Sequence, residues 1–211
     1  MFGNDATTPA RPPVVQRRGV ERRRAILEAA DALLAEQGYE AATLKAIGER
    51  AGIPTASMYH YFPDRHQVDA ELLQRHMQQL DAILNGVLEN PEPATLEGIG
   101  DALIDAVLAY FRSHRSCTEL WFAGRNETLD ALVRSFDEAQ AERLWLLLTE
   151  RNLIAADTPR HVAQIAFEVA NRFFDIAFRR SPDGDDVTID EGRRMLTAYF
   201  RTYAPTAGRS A

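Results

Sequence analysis

Residues 43–66, TLKAIGERAGIPTASMYHYFPDRH, decide how the rest of the chain is interpreted. Apolar residues at helical spacing predict a short helix that begins after Thr43, its expected N-cap. The apolar positions are Leu44, Ile47 and Ala51. The sequence Gly52-Ile53-Pro54 predicts a tight turn, because glycine adopts the left-handed conformation that ends a helix and proline cannot continue one. A second short helix, with a mostly polar surface, is predicted over residues 55–61. This is the helix-turn-helix pattern, in which the second helix enters the DNA major groove.

Several positions in this stretch resemble, in register, the N-terminal signature of the TetR family of one-component bacterial regulators. They are Thr43, Ile47, Ala51-Gly52-Ile53, Ser57-Met58-Tyr59, Tyr61-Phe62 and Arg65. Pro54 stands where the family usually has a serine that caps the recognition helix, so the sequence does not define where that helix begins. Arg65 replaces the usual lysine and keeps the positive charge.

The resemblance implies an all-α fold, with an N-terminal three-helix helix-turn-helix DNA-binding domain followed by a helical ligand-binding and dimerisation domain. Helical patterns along the chain number about nine, with no convincing strand. We expect four regions: a disordered basic arm (1–18), the DNA-binding domain (19–66), the effector-binding and dimerisation domain (67–204) and a tail (205–211). The first helix is predicted to begin near Val20, and Asp64 is predicted to cap the long helix that follows the helix-turn-helix.

The negative charge belongs to the second domain. Residues 1–70 carry nine basic and nine acidic side chains, and residues 71–211 account for the whole net charge of −7. Most of the basic groups precede the helix-turn-helix: Arg11, Arg17, Arg18, Arg22, Arg23 and Arg24. These basic residues are interpreted either as a contact to the DNA backbone or minor groove, or as part of a solvated disordered tail.

Composition predicts a protein of the cytoplasm. No apolar run approaches the roughly 18 residues that span a bilayer, and residues 1–20 lack the apolar core of a secretory signal. The single Cys117 excludes an internal disulfide framework and is interpreted as a small buried hydrophobic residue.

The resemblance assigns roles on double-stranded DNA to individual residues. Thr43 and Tyr59 match family positions that hold phosphates, and Lys45 and Arg65 add charge. The residues expected at base edges or at the sugar backbone are Thr55, Ser57, His60 and Tyr61. For Tyr59 and Tyr61, packing against the first helix is the alternative.

The resemblance also implies a cavity for a small-molecule effector among the helices between residues 64 and 180. The apolar candidates are Leu84, Val107, Phe111, Trp121, Phe122, Phe136, Phe167 and Phe174, and the polar ones are Arg125 and Asn171. Ordinary core packing is the alternative for each aromatic residue. The many aromatic residues and the scarcity of positive charge favour a hydrophobic or cationic compound.

The helix predicted over residues 160–180 is apolar on more than one side, so it needs more than one neighbour. The resemblance implies that this helix and the helix at 187–203 pair with their copies in a homodimer. A twofold dimer reads two half-sites of a palindromic operator.

The sequence therefore predicts a ligand-responsive transcriptional regulator, a repressor by the family resemblance, released from its operator by a small molecule. The alternative is a DNA-binding dimer whose C-terminal domain only dimerises or binds a protein partner, and activation depends on where the operator lies. An enzyme is not expected, because the five histidines are scattered without ligand spacing and no phosphate-binding loop or nucleophile motif appears. We predict no catalytic residue, no metal and no cofactor.

Overall fold

A computed structural model describes residues 14–123 and 126–205, and it confirms the predicted all-α fold. Nine α-helices and one π-helical segment, Glu119–Ala123, occupy this part of the chain, which contains no strand. The helices are α1 (Val14–Gln37), α2 (Leu44–Ala51), α3 (Thr55–Met58), α4 (Arg65–Glu89), α5 (Leu96–Ser113), α6 (Arg115–Thr118), α7 (Glu127–Glu150), α8 (His161–Arg180) and α9 (Asp186–Arg201). None of these helices is both long and apolar enough to cross a membrane.

The predicted ends of α2 and α4 are confirmed. The Ala46 N–H donates to Thr43 Oγ1 at 3.1 Å, and Gly52 ends α2 with φ +66°. At the start of α4, the Gln67 N–H donates to Asp64 Oδ1 at 3.0 Å. These caps satisfy N–H groups that a helix end leaves without partners.

The recognition helix α3 is shorter than predicted, since it ends at Met58 and residues 59–61 form a turn. Pro54 offers no side-chain cap, and its carbonyl accepts from the Ser57 N–H at 2.8 Å. Phe62 is fully buried and precedes Pro63, and a residue before proline is disfavoured in the α conformation. The proline after Phe62 therefore disfavours continuation of the helix, while Phe62 packs on the same buried side as Met58.

Helix α1 begins six residues earlier than predicted, at Val14 rather than Val20. Residues 14–18, which we predicted as part of a disordered arm, are helical. No proline lies between Val14 and Gln37, so nothing in this stretch interrupts a helix. The rest of the predicted arm, including Arg11, and most of the predicted tail lie outside the described residues.

The N-terminal helices share one core with the rest of the protein. Ile26, Leu34, Ile47, Met58 and Phe62 are at most 1% exposed, and they belong to the same buried cluster as apolar residues of α4, α5 and α8. A unit of about 50 residues is marginal on its own, and α4 supplies the additional buried surface. A second apolar cluster lies among α5, α7, α8 and α9.

Candidate nucleic-acid interface and internal cavity

The predicted DNA-binding residues at the start of α2 and the end of α3 are exposed to solvent. Thr43, Lys45 and His60 are exposed, and Tyr59 is 57% exposed, which is unusual for a tyrosine with a packing role. The Lys45 ammonium has only a loose contact with Glu49, 3.8 Å away. This surface offers one cation, two hydroxyl groups and an imidazole to a partner.

The other predicted base or sugar contacts are partly covered. Thr55 and Ser57 are half-buried on α3. Tyr61 packs against the core, and its hydroxyl accepts from Arg22 Nη1 at 3.4 Å. Tyr61 is thus more closely packed than Tyr59, while its hydroxyl group stays at the surface.

Arg65, which we predicted to add charge beside a phosphate, makes contacts inside the protein. Its side chain is 18% exposed, its guanidinium lies 3.7 Å from the ring centroid of Tyr39, and it donates to the Tyr39 carbonyl. Its Nε also lies 3.3 Å from Asp69 Oδ2. Burial raises the pKa of Asp69, and the adjacent Arg65 opposes that rise. A buried carboxylate needs a cation, and the i,i+4 spacing of Arg65 and Asp69 was the sequence signal for this role.

Arg23 has a similar structural role that the sequence analysis missed, because it was counted with the basic arm. Its guanidinium lies 4.2 Å from the Phe62 ring centroid, and Nη1 donates to the Tyr61 carbonyl at 2.8 Å. It also forms an ion pair with Glu71 of α4. Arg23 thus holds the turn after α3 against both α1 and α4.

An internal cavity of about 90 Å³ lies among α4, α5, α7, α8 and α9. Four predicted effector residues line it: Leu84, Val107, Phe167 and Phe174. Other lining residues were not predicted from the sequence, including Leu88, Ile104, Gln140, Leu144, Ala166 and Phe200. The wall of this cavity extends beyond residue 180, the limit of the helices that we expected around the effector, because α9 contributes Leu196 and Phe200.

Phe111 and Phe136, which we predicted as effector contacts, do not line this cavity. Phe111 is 2% exposed and meets Trp121, Phe122, Phe174 and Phe178 edge-on, with ring centroids between 5.5 and 5.7 Å away. Phe136 meets Trp121 edge-on at 5.6 Å. Aromatic rings prefer such edge-to-face contacts, and these positions form a ring cluster.

Trp121, Phe122 and Asn171 line a separate polar groove of about 320 Å³ between the π-helical segment, α7 and α8. The Trp121 Nε1–H donates to Asn171 Oδ1 at 3.1 Å, and Asn171 Nδ2 donates to Asp137. Burial raises the pKa of Asp137 to about 8, and the charges of Glu168 and Glu138 add to this effect. Asp137, which also lines the groove, was not among the predicted site residues. Arg125 lies outside the described residues.

A chain of polar contacts connects α1 to α4, α5 and α6. Ser116 Oγ donates to Asp31, and the same Ser116 oxygen lies 3.1 Å from Nε2 of the buried His76. His76 Nδ1 lies 2.8 Å from the Tyr110 hydroxyl, which donates to Gln79 at 2.9 Å. Hydrogen bonding from His76 is the main cause that lowers the pKa of Asp31. This chain joins the N-terminal helices to the cavity-bearing part of the fold.

Comparison with known sequences identifies both parts of the chain. Residues 26–72 match "Bacterial regulatory proteins, tetR family", and residues 95–200 match "Tetracyclin repressor-like, C-terminal domain". The transcriptional regulator EthR of Mycobacterium tuberculosis is 30% identical over 112 residues, which cover 53% of this chain and 52% of EthR. The transcriptional repressor KstR of Mycolicibacterium smegmatis is 37% identical over 62 residues, 29% of this chain and 30% of KstR. The chain thus spans only a third to a half of the length of these curated relatives.

Solved structures share the fold over nearly the whole chain. A TetR-family regulator from Streptomyces coelicolor is 29% identical with a TM-score of 0.64, covering 86% of this chain and 99% of that one. RolR in complex with resorcinol is 18% identical with a TM-score of 0.64, covering 92% and 100% of the two chains. Since residues 95–200 alone make up half of the sequence and residues 26–72 take in the helix-turn-helix, the chain belongs to the TetR family of bacterial transcriptional regulators, which are not enzymes.

Proposed function

We propose that this protein is a homodimeric repressor of the cytoplasm that binds a palindromic operator and is released from it by a small molecule. One observation carries the proposal: helix α4 contacts the N-terminal DNA-binding helices and also lines the internal cavity. Its first turn holds the N-terminal helices through Arg65 and Asp69, and its second half supplies Leu84 and Leu88 to the internal cavity. A ligand that shifts α4 therefore changes the position of the recognition helix.

On the DNA side, we assign phosphate contacts to Thr43, Lys45 and Tyr59, which lie on the exposed surface of α2 and α3. Contacts to base edges or sugars are assigned to Thr55, Ser57, His60 and Tyr61. With only four residues in α3, one protomer reads few bases. Two protomers on a twofold axis read two half-sites, which supports a palindromic operator.

The dimer would form through α8 and α9, close to the ranges 160–180 and 187–203 that we predicted. Both helices leave large apolar side chains in solvent, because Ile165 of α8 is 46% exposed and Met195 of α9 is 48% exposed. Their buried sides already pack against the second apolar cluster of the same chain. A helix that is apolar on two sides needs a second partner, and a copy of the same chain supplies it.

Ligand control is supported by the position of the cavity and by the chain of polar contacts from Asp31 through His76. Leu84 and Leu88 of α4 line the cavity, and the polar contacts connect α1 to His76 of the same helix, so a shift of α4 acts on the N-terminal helices. RolR, which shares the fold, has resorcinol in its solved structure. Coupling between such sites is typically about 1 to 3 kcal/mol, or about 5- to 150-fold in DNA affinity.

The alternative function keeps DNA binding and dimerisation but has no small-molecule control. It is favoured by the size of the cavity, since about 90 Å³ falls below the roughly 300 to 1,000 Å³ of most ligand pockets. Under this alternative a protein partner, or no partner, would act on the C-terminal domain.

The test begins with selection of DNA fragments from random sequence by the purified protein. We expect an inverted repeat to be enriched, and Tyr59→Phe to weaken binding to it while the variant melts at the wild-type temperature. Screening small molecules for release of that fragment then separates ligand control from the alternative. A selection without an enriched motif would contradict the proposed function, and operator binding indifferent to every compound would leave the alternative in its place.

A further inference from the structure

The internal cavity contains one polar group whose hydrogen bonding is incomplete. Gln140 of α7 lines the cavity and is 1% exposed. Its Nε2 donates to Asp81 Oδ1 at 2.6 Å, whereas its Oε1 has no hydrogen-bond partner among the described residues. A buried acceptor without a partner is unfavourable, and most such groups in native proteins are satisfied. A ligand whose donor group reaches the Gln140 carbonyl would supply the missing partner.

The neighbours of Gln140 determine which end of its amide is free. Asp81 Oδ1 also accepts from Arg143 Nη1 at 2.6 Å, and a carboxylate oxygen only accepts hydrogen bonds. If the amide were turned over, its oxygen would face the carboxylate, which is repulsive. The NH₂ group must therefore face Asp81, and the unsatisfied end must be the acceptor.

The rest of the cavity wall favours a neutral ligand. Leucine, isoleucine, alanine and phenylalanine side chains form most of it, and a charge without a partner is costly in such surroundings. The cation on the wall, Arg193, already forms ion pairs with Asp101 and Asp105. An anion would compete with two carboxylates for this arginine.

The dimensions of the cavity favour a compact ligand. An apolar cavity of roughly 150 Å³ accommodates a benzene ring. At about 90 Å³, this cavity takes a single ring only if its walls move apart slightly. Phe167, Phe174 and Phe200 on the wall offer ring faces and edges to such a ligand. The movement would act on Leu84 and Leu88 of α4.

We propose that the cavity binds a compact, neutral molecule about one ring in size, whose hydroxyl or N–H group donates a hydrogen bond to Gln140 Oε1. The proposal rests on the proposed function, because it names the class of the effector. Specificity would come from this single bond, since a site with an unsatisfied acceptor prefers a ligand with a matching donor over one of the same shape without it.

The test compares phenol with toluene, two rings of similar shape that differ in a hydroxyl and a methyl group. Calorimetric titration of the full chain gives the ratio of their dissociation constants. Gln140→Met keeps the length of the side chain and removes the acceptor. In this variant we expect the dissociation constant of phenol, divided by that of toluene, to rise about tenfold, the equivalent of one hydrogen bond. Gln140→Leu serves the same purpose if the methionine variant does not fold. An unchanged ratio would overturn the proposal.

The location is checked with Ala166→Leu, which fills the cavity from a buried position on α8. We expect this variant to bind phenol and toluene more weakly than wild type, and binding of both at wild-type strength would overturn the assignment to this cavity.

Failure of the proposal is distinct from failure of the proposed function. If both rings bind and release operator DNA with no dependence on Gln140, ligand control stands and the inference is wrong. If neither ring binds, the inference is wrong, and the DNA selection still decides the function.

Discussion

The replacement Asp137→Asn is expected to stabilise the protein, and increasingly so as the pH rises. Asp137 is 7% exposed, accepts a hydrogen bond from Asn171, and lies near the carboxylates of Glu138 and Glu168. Burial raises its pKa to about 8 from an ordinary value of 3.8. Asparagine has nearly the same shape, never carries a charge, and can still bond to Asn171.

The sign of the effect follows from where protons are bound. Between about pH 4 and pH 8, the unfolded chain loses the Asp137 proton while the folded chain keeps it. The unfolded state therefore binds fewer protons, and the free energy of unfolding falls as the pH rises, by about 1.4 kcal/mol per pH unit. At pH 7 the accumulated loss reaches about 4 kcal/mol as an upper limit. Asp137→Asn removes this loss.

Urea unfolding at pH 5, 6 and 7, followed by tryptophan fluorescence at one protein concentration, measures the difference. We expect the advantage of Asp137→Asn over wild type to grow with each pH unit. Glu138→Gln, an exposed neighbour on the same helix, is the matched control and should change stability by less than about 0.5 kcal/mol. An advantage that is constant with pH, or a variant less stable than wild type at pH 7, would refute the reasoning.

Three further predictions concern DNA contacts and packing. Lys45→Ala should reduce the slope of log affinity against log salt by about 0.9 per protomer in fluorescence anisotropy, and an unchanged slope would remove Lys45 from the interface. Arg65→Gln should leave that slope unchanged and lower the free energy of unfolding by about 1 to 3 kcal/mol, because the Arg65 guanidinium contacts Asp69 and Tyr39 inside the protein. A smaller slope in this variant would show that Arg65 contacts a phosphate. Gly192→Ala should cost about 1 to 3 kcal/mol in urea unfolding, because its Cβ would lie 2.6 Å from the Phe173 ring. Gly100→Ala is the helical control, since its Cβ meets no heavy atom within 4 Å, and equal effects of the two glycine changes would contradict the packing argument.

The local signals in the sequence were sufficient for the helices and most of their ends. Thr43, Gly52 and Asp64 act through their own backbone neighbours, so the caps that they form can be predicted from a few adjacent residues. Helix α3 was predicted too long, although Pro63 was a local signal against a helix at Phe62. The start of α8 was predicted to within one residue, since the helix expected from residue 160 begins at His161.

The candidate sites were predicted less completely, because burial depends on contacts between distant segments. Arg65 carries the positive charge that a phosphate contact needs. Only the fold shows that its guanidinium group contacts Asp69 and Tyr39. Periodicity places Phe111 on a buried side of α5 but does not distinguish a cavity wall from a ring cluster. Gln140 is an ordinary polar residue in the sequence, and its unsatisfied carbonyl appears only when α4 and α7 come together.

The measurement that tests the central claim most directly is sedimentation of the protein with the selected DNA fragment, combined with an affinity titration over a salt series. We predict two protomers, or a multiple of two, on the inverted repeat. We also predict an affinity that falls steeply between about 50 and 200 mM salt, as expected when basic side chains displace counterions from phosphates. One protomer per fragment, or an affinity indifferent to salt, would contradict the account of a dimeric DNA-binding regulator.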